Sequence, residues 1–151
     1  QLTRHPGRIR AGLAWAGNPR NNNDRRRSIP LVQLAPLFTL TDIEWFSLQK
    51  GDDDDPLARQ SLVQLEARND FDGIAALLDE LDVVVSVDTS IVHLAGALAK
   101  PVFVLLPFAS DWRWRTSRSD SDWYPTAHLF RQPAPGDWAS VVSEVAEALR
   151  R

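Results

Sequence analysis

Residues 83–107, VVVSVDTSIVHLAGALAKPVFVLLP, restrict the fold more than any other part of the chain. Two Val-rich apolar runs, each about a strand long, flank a segment with helical character. A strand that is apolar at every position must be covered on both faces, as the central strands of parallel sheets are. A β-α-β unit follows, and with it a right-handed crossover. The first run ends in Asp88, Thr89 and Ser90, and His93 stands one helical turn further on. Three small polar groups and an imidazole close a strand that is otherwise apolar, and they need a reason.

The rest of the chain extends the same alternation. IRAGLAWA (9–16) reads as a buried strand, broken by Gly17-Asn18-Pro19. NPRNNNDRRRS is a polar surface loop. Ser28 is the expected N-cap of a helix with Pro30 in its first turn, running through LVQLAPLF until Pro36 disturbs it. IEWFSL (43–48) is a second strand, GDDDDP a loop and SLVQLEA a short third strand. Ile74, Leu77, Leu78 and Leu81 recur at helical spacing behind Asp70, its expected N-cap. AHLFR (127–131) is the last strand, preceded by the aromatic-rich loop DWRWRTSRSDSDWYP. GDWASVVSEVAEALRR closes the chain as an amphipathic helix with Val141, Val142, Val145 and Leu149 on one face. The expected fold is therefore α/β, three layers around a parallel sheet, as one domain over residues 1–151. The sequence has no internal repeat and no low-complexity tract.

Composition agrees with this size and class. The chain has 151 residues, 44% of them hydrophobic and 25% charged, as a soluble globular domain does. No apolar run approaches the roughly 20 residues that span a bilayer, and QLTRHPGRIR has no signal-peptide core, so no membrane span and a cytoplasmic location are expected. The absence of cysteine excludes disulfides and thiolate chemistry. A chain that opens on Gln1 and holds no methionine reads as a piece of a longer protein. Net charge is −3, too acidic for a nucleic-acid binder. Apart from Lys50 and Lys100 all 17 basic residues are Arg, however, and Arg25, Arg26 and Arg27 stand together. Arg presents a planar fork suited to phosphate or carboxylate, which points to a local anion site.

Ligands of open parallel sheets bind beyond the carboxyl ends of the strands, where the following helices begin. Asp88, Thr89 and Ser90 occupy such a junction. Free helix N–H groups there, with the two hydroxyls, would face an anion such as a diphosphate, and His93 can point at the same ligand. The bland alternatives are an N-cap at Asp88 or Thr89 and a hydrogen-bonded helix histidine. The first strand ends alike, with Gly17 allowing close backbone approach and Asn18 beside it, although Gly-Asn-Pro is also simply a turn. Arg27 precedes the next helix at the place an anion would take. The second strand ends in Ser47, Gln49 and Lys50; Gln49 can donate and accept, so it suits a base edge or ribose. Asp52 to Asp55 have the chemistry of a hard-cation site but read better as a solvated loop, so no metal is expected. Trp112, Trp114, Trp123 and Tyr124 either stack on a ligand or pack their loop against its own sheet. Neither a P-loop nor GxGxxG occurs.

LAWAGNP…RSIPL, FSLQKG, VVVSVDTSIVHLAGALAKPVFVLLPF, DWRW and WYPTAHLFRQ…GDW together resemble the C-terminal half of GT-B glycosyltransferases. The resemblance is to the bacterial heptosyltransferase-like group (family 9 type), often fused behind tetratricopeptide repeats, and more distantly to O-linked N-acetylglucosamine transferases. It runs from about Arg10 to Trp138. It implies a Rossmann-like domain that binds the nucleotide diphosphate of a sugar donor without metal or other cofactor. On that resemblance Asp88, Thr89, Ser90 and His93 would contact the diphosphate and nearby sugar, Arg27 would neutralise phosphate, and Ser47, Gln49 and Lys50 would lie near base or ribose. Acceptor contacts and the catalytic base would belong to an N-terminal GT-B domain outside these residues, which leaves no catalytic residue to name here. Two other readings stand beside this one: a non-catalytic nucleotide-binding or protein-interaction module of the same fold, and a nucleotide-sugar epimerase. The epimerase would need its own acid and base, and the histidines are only His5, His93 and His128.

Overall fold

A computed structural model describes residues 5–17, 28–49, 55–65, 71–109, 114, 119–121 and 124–150. Among the described residues five parallel strands form one sheet: β1 (Ile9–Ala14), β2 (Ile43–Ser47), β3 (Val83–Val87), β4 (Val102–Leu106) and β5 (Ala127–Arg131). Their spatial order is β2-β1-β3-β4-β5. The register pairs Leu13 with Ser47 on one side, Ala14 with Ser86 on the other, and Leu105 with Phe130 towards the far edge. The sheet is a Rossmann-like α/β core, as the alternation in the sequence predicts.

Side chains alternate across the strands, so each strand feeds two separate cores. One lies under a 3-10 helix (Leu31–Thr39) and the C-terminal helix; there Leu13, Trp45, Val85 and Leu105 meet Leu34, Leu37, Val141 and Val145. The other lies under the helices over residues 71–80 and 90–97, where Phe46, Val84 and Val104 meet Leu77, Leu78, Val92 and Ala95. Numbered in chain order, the α-helices are α1 (Pro56–Ser61), α2 (Phe71–Glu80), α3 (Ser90–Ala97) and α4 (Trp138–Arg150). The 3-10 helix of the β1–β2 connection covers one face, and α2 and α3, on the way to β3 and β4, cover the other, the arrangement that right-handed crossovers demand. Among the described residues no helix is long and apolar enough to cross a membrane.

Three expectations are corrected. SLVQLEA is not a strand: Asp55 accepts hydrogen bonds from the Leu57 and Ala58 N–H groups at 2.9 and 3.4 Å, and Pro56 occupies the first turn, so residues 56–61 wind into α1. Among the described residues of this stretch only Val63 pairs with the sheet, as an isolated parallel bridge to Phe46. Ser28 does not cap the next helix; its hydroxyl accepts from the Gly17 N–H at 3.0 Å. That helix starts after Pro30 without a side-chain cap and is 3-10 throughout, with Pro36 inside it. The tighter winding suits a segment whose Pro36 has no N–H to give. The N-cap expected at Asp70 falls outside the described residues.

Element ends also move by a residue or two. Trp15 and Ala16 leave the β1 ladder, and α3 opens at Ser90, behind Thr89. At the other end α3 closes in a Schellman turn: Ala99 N–H bonds to Gly96 O and Lys100 N–H to Ala95 O, with Ala99 in the left-handed region at φ 55°. Pro101 follows and prevents the helix from continuing.

Candidate functional site

The strand order reverses direction at β1: from it the chain steps outward to β2, then returns across it to β3. The crevice at the carboxyl ends of β1 and β3 is the switch point at which open α/β sheets bind ligands. Trp15, Ala16 and Gly17 lie on one side of it and Asp88, Thr89 and Ser90 on the other, because Ala14 and Ser86 are register partners. The two clusters that the sequence singled out therefore share one end of the sheet.

Each residue there is held by identifiable contacts. Thr89 is the N-cap of α3, accepting from the Ile91 N–H at 3.3 Å. Its oxygen also lies 3.3 Å from the Ser86 hydroxyl, which itself donates to the Val87 carbonyl at 2.7 Å. Thr89 is thus committed to the helix start, while Ser90, the first helical residue, is exposed. Gln49 folds back over the end of β1, its Oε1 accepting from the Trp15 and Ala16 N–H groups at 3.2 and 3.1 Å. Ser47 is fully buried, with its hydroxyl 3.2 Å from the Gln49 N–H. Both residues therefore build the rim; the Gln49 acceptor replaces the strand partner that Trp15 and Ala16 lose. Asn18, Arg27 and Lys50 lie outside the described residues, as do Trp112 and Trp123.

His93 is held by partners far away in sequence. Its Nδ1 is 2.9 Å from the Tyr124 hydroxyl, and its Nε2 is 3.8 Å from Asp88 Oδ1. The ring stacks on Trp114 with centroids 5.8 Å apart and planes at 20°. Trp114 is buried beside α3, and Arg131 donates from Nη2 to its carbonyl. Burial lowers the pKa of that guanidinium from its ordinary value. Trp114 and Tyr124, the described aromatics of that loop, thus pack against α3, and they do so around the candidate histidine. Their link to His93 was not readable from spacing. The one local signal was Gly96, a glycine inside a helix, where an added Cβ would stand 2.4 Å from the Tyr124 ring.

Among the described residues no group of three or more His, Asp or Glu side chains gathers as metal ligands. Asp55, the described member of the acidic run, is spent on capping α1. What the crevice offers is the start of α3, an exposed serine, a carboxylate and an imidazole, all within a turn of one another: a place to hold an anionic group and orient it by hydrogen bonds.

Comparison with known proteins bears on the same stretch. Residues 55–119 match the model of glycosyltransferase family 9 (heptosyltransferase). Over that stretch the chain is similar to glycosyltransferase family 9. The matched segment runs from the cap of α1 through β3, α3 and β4 to Ser119, so it contains Asp88 to His93 and Trp114 but stops short of Tyr124. The chain is also similar to Protein FlbA of Caulobacter vibrioides, 28% identical over 150 residues, covering 93% of this chain and 25% of that protein. It thus spans about a quarter of the length of this curated relative.

Proposed function

We propose that this family 9-like domain is the donor-binding half of a GT-B glycosyltransferase and holds a nucleoside-diphosphate sugar at the carboxyl ends of β1 and β3, without a metal. The observation that carries the reading is the placement of His93 and Ser90 in the first turn of α3, beside Asp88, at the switch point of the sheet. Negative charge grows on the departing nucleoside diphosphate as the glycosidic bond breaks. A helix N-terminus, the Nε2 edge of His93 and Arg27 would stabilise that charge in place of a metal ion. Gly17 and Asn18 would face the ligand from β1, and Lys50 and the rim built by Ser47 and Gln49 would border base or ribose. Acceptor contacts and the catalytic base would come from an N-terminal domain, which tetratricopeptide repeats would precede in the parent protein. The 151 residues alone are then expected to bind nucleotide, in the cytoplasm, without useful turnover.

Amide chemical shifts test the placement. Titration with ADP and with UDP should move the Gly17 and Asp88–His93 resonances and leave those of α4 still. Shifts confined to α4 or β5 would refute the site. Sugar transfer to an acceptor by the isolated chain would refute the division of labour between two domains.

A further inference from the structure

We propose that Tyr124 is a positioning residue for His93: its hydroxyl donates to Nδ1 and holds the neutral imidazole in the tautomer that carries its proton on Nε2. The tautomer is argued from the contacts of His93 with Tyr124 and Asp88, whereas the use of that Nε2–H, donation to a diphosphate, rests on the donor-site reading above.

A neutral imidazole has one N–H donor and one acceptor nitrogen. Asp88 Oδ1 lies 3.8 Å from Nε2, and an ionised carboxylate can only accept. A proton on Nε2 meets that carboxylate favourably, while a lone pair there would oppose it. Nδ1 must then accept, and the phenol at 2.9 Å is its donor. A tyrosine hydroxyl can play either part; the carboxylate on the far side of the ring biases the direction, and the short bond from the hydroxyl to Nδ1 then holds the tautomer.

The surroundings keep this arrangement in place. Trp114 stacks on the imidazole and opposes rotation of the ring out of its plane. Gly96 stands three residues after His93 on the same helix face, and the Tyr124 ring occupies the space that a side chain there would fill. The chain around Tyr124 is tied locally: its N–H donates to Ser121 Oγ at 3.2 Å and its carbonyl accepts from the Ala127 N–H at 3.1 Å. Gly96 makes room, Tyr124 fills it, and the hydroxyl reaches Nδ1 as a result. The His93 side chain is left 33% exposed.

The test is the nitrogen-15 spectrum of the His93 ring in the 151-residue chain, at a pH above the ordinary histidine range so that the imidazole is neutral. The wild-type ring should show its proton on Nε2 and an accepting Nδ1. In Tyr124→Phe, which keeps the ring on Gly96 and loses only the hydroxyl, the spectrum should become that of mixed tautomers. Gly96→Ala, which displaces the tyrosine while leaving the chemistry of both partners intact, should do the same. A wild-type ring protonated on Nδ1, or an unchanged spectrum in Tyr124→Phe, overturns the proposal, and the wild-type spectrum decides even if a variant fails to fold. Titration with ADP and UDP then separates the two ideas. Tyr124→Phe should bind about two-fold more weakly, because only the fraction of rings protonated on Nε2 is competent to donate. If neither nucleotide binds the wild type, the donor-site reading falls, while the tautomer seen in the spectrum still decides the role of Tyr124.

Discussion

Two small residues at the end of α3 are held to opposite requirements. Gly96 has no room for a side chain, since a Cβ would stand 2.4 Å from the Tyr124 ring. Alanine usually stabilises a helix over glycine by up to about 1 kcal/mol, but overpacking against a ring costs about 1–3 kcal/mol. Gly96→Ala should therefore lower stability in urea denaturation. Ala99 is the reverse case: it closes the Schellman turn at φ 55°, where an L side chain is strained. Ala99→Gly should raise stability by about 1 kcal/mol in the same assay. Asp137 adds a pH-dependent contribution. It accepts from the Ser140 hydroxyl at 2.7 Å and from the Ser140 N–H at 3.0 Å. Those bonds hold its carboxyl below the ordinary 3.8. A lowered pKa in the folded state stabilises above the unfolded value and is lost as pH falls through the folded one. The urea midpoints of wild type and Asp137→Ala should thus differ at neutral pH and converge on acidification below about pH 4.

At the scale of elements, Gln49 is the part whose role the sequence disguised. A glutamine at a strand end has the chemistry to read a base, but here its carbonyl closes the frayed end of β1 by taking two backbone N–H groups. Gln49→Ala should cost about 1–3 kcal/mol with no ligand present, through N–H groups left without a partner; stability equal to wild type would show the clip to be idle. The β3-α3-β4 unit was legible because continuous Val runs, a capping threonine and a following proline all agree. Val141, Val142 and Val145 likewise announced the buried face of α4, and all three are buried. The helix α1 was not legible, because six residues are too few for helical periodicity to appear, and GDDDDP looks like a loop until Asp55-Pro56 is read as a cap and a first turn. The 3-10 winding of residues 31–39 depends on prolines that signal disturbance without saying which kind.

For the whole molecule, strand order decides where the site lies. Gly17 and Asp88–Ser90 stand at the ends of two strands in the sequence, but only the order β2-β1-β3-β4-β5 makes those two strands neighbours on either side of the switch point. The bond from His93 to Tyr124 spans 31 residues and crosses from a helix to a returning loop, so no local pattern could announce it. The central claim is that this crevice holds a nucleoside diphosphate without a metal. Calorimetric titration of the chain with ADP and UDP, with a chelator present, tests it most directly when repeated on His93→Ala. Saturable binding of one nucleotide, weakened about ten-fold or more by the loss of a charge-assisted hydrogen bond, is the predicted result. Absence of binding at millimolar nucleotide, or equal affinity in wild type and His93→Ala, would contradict it.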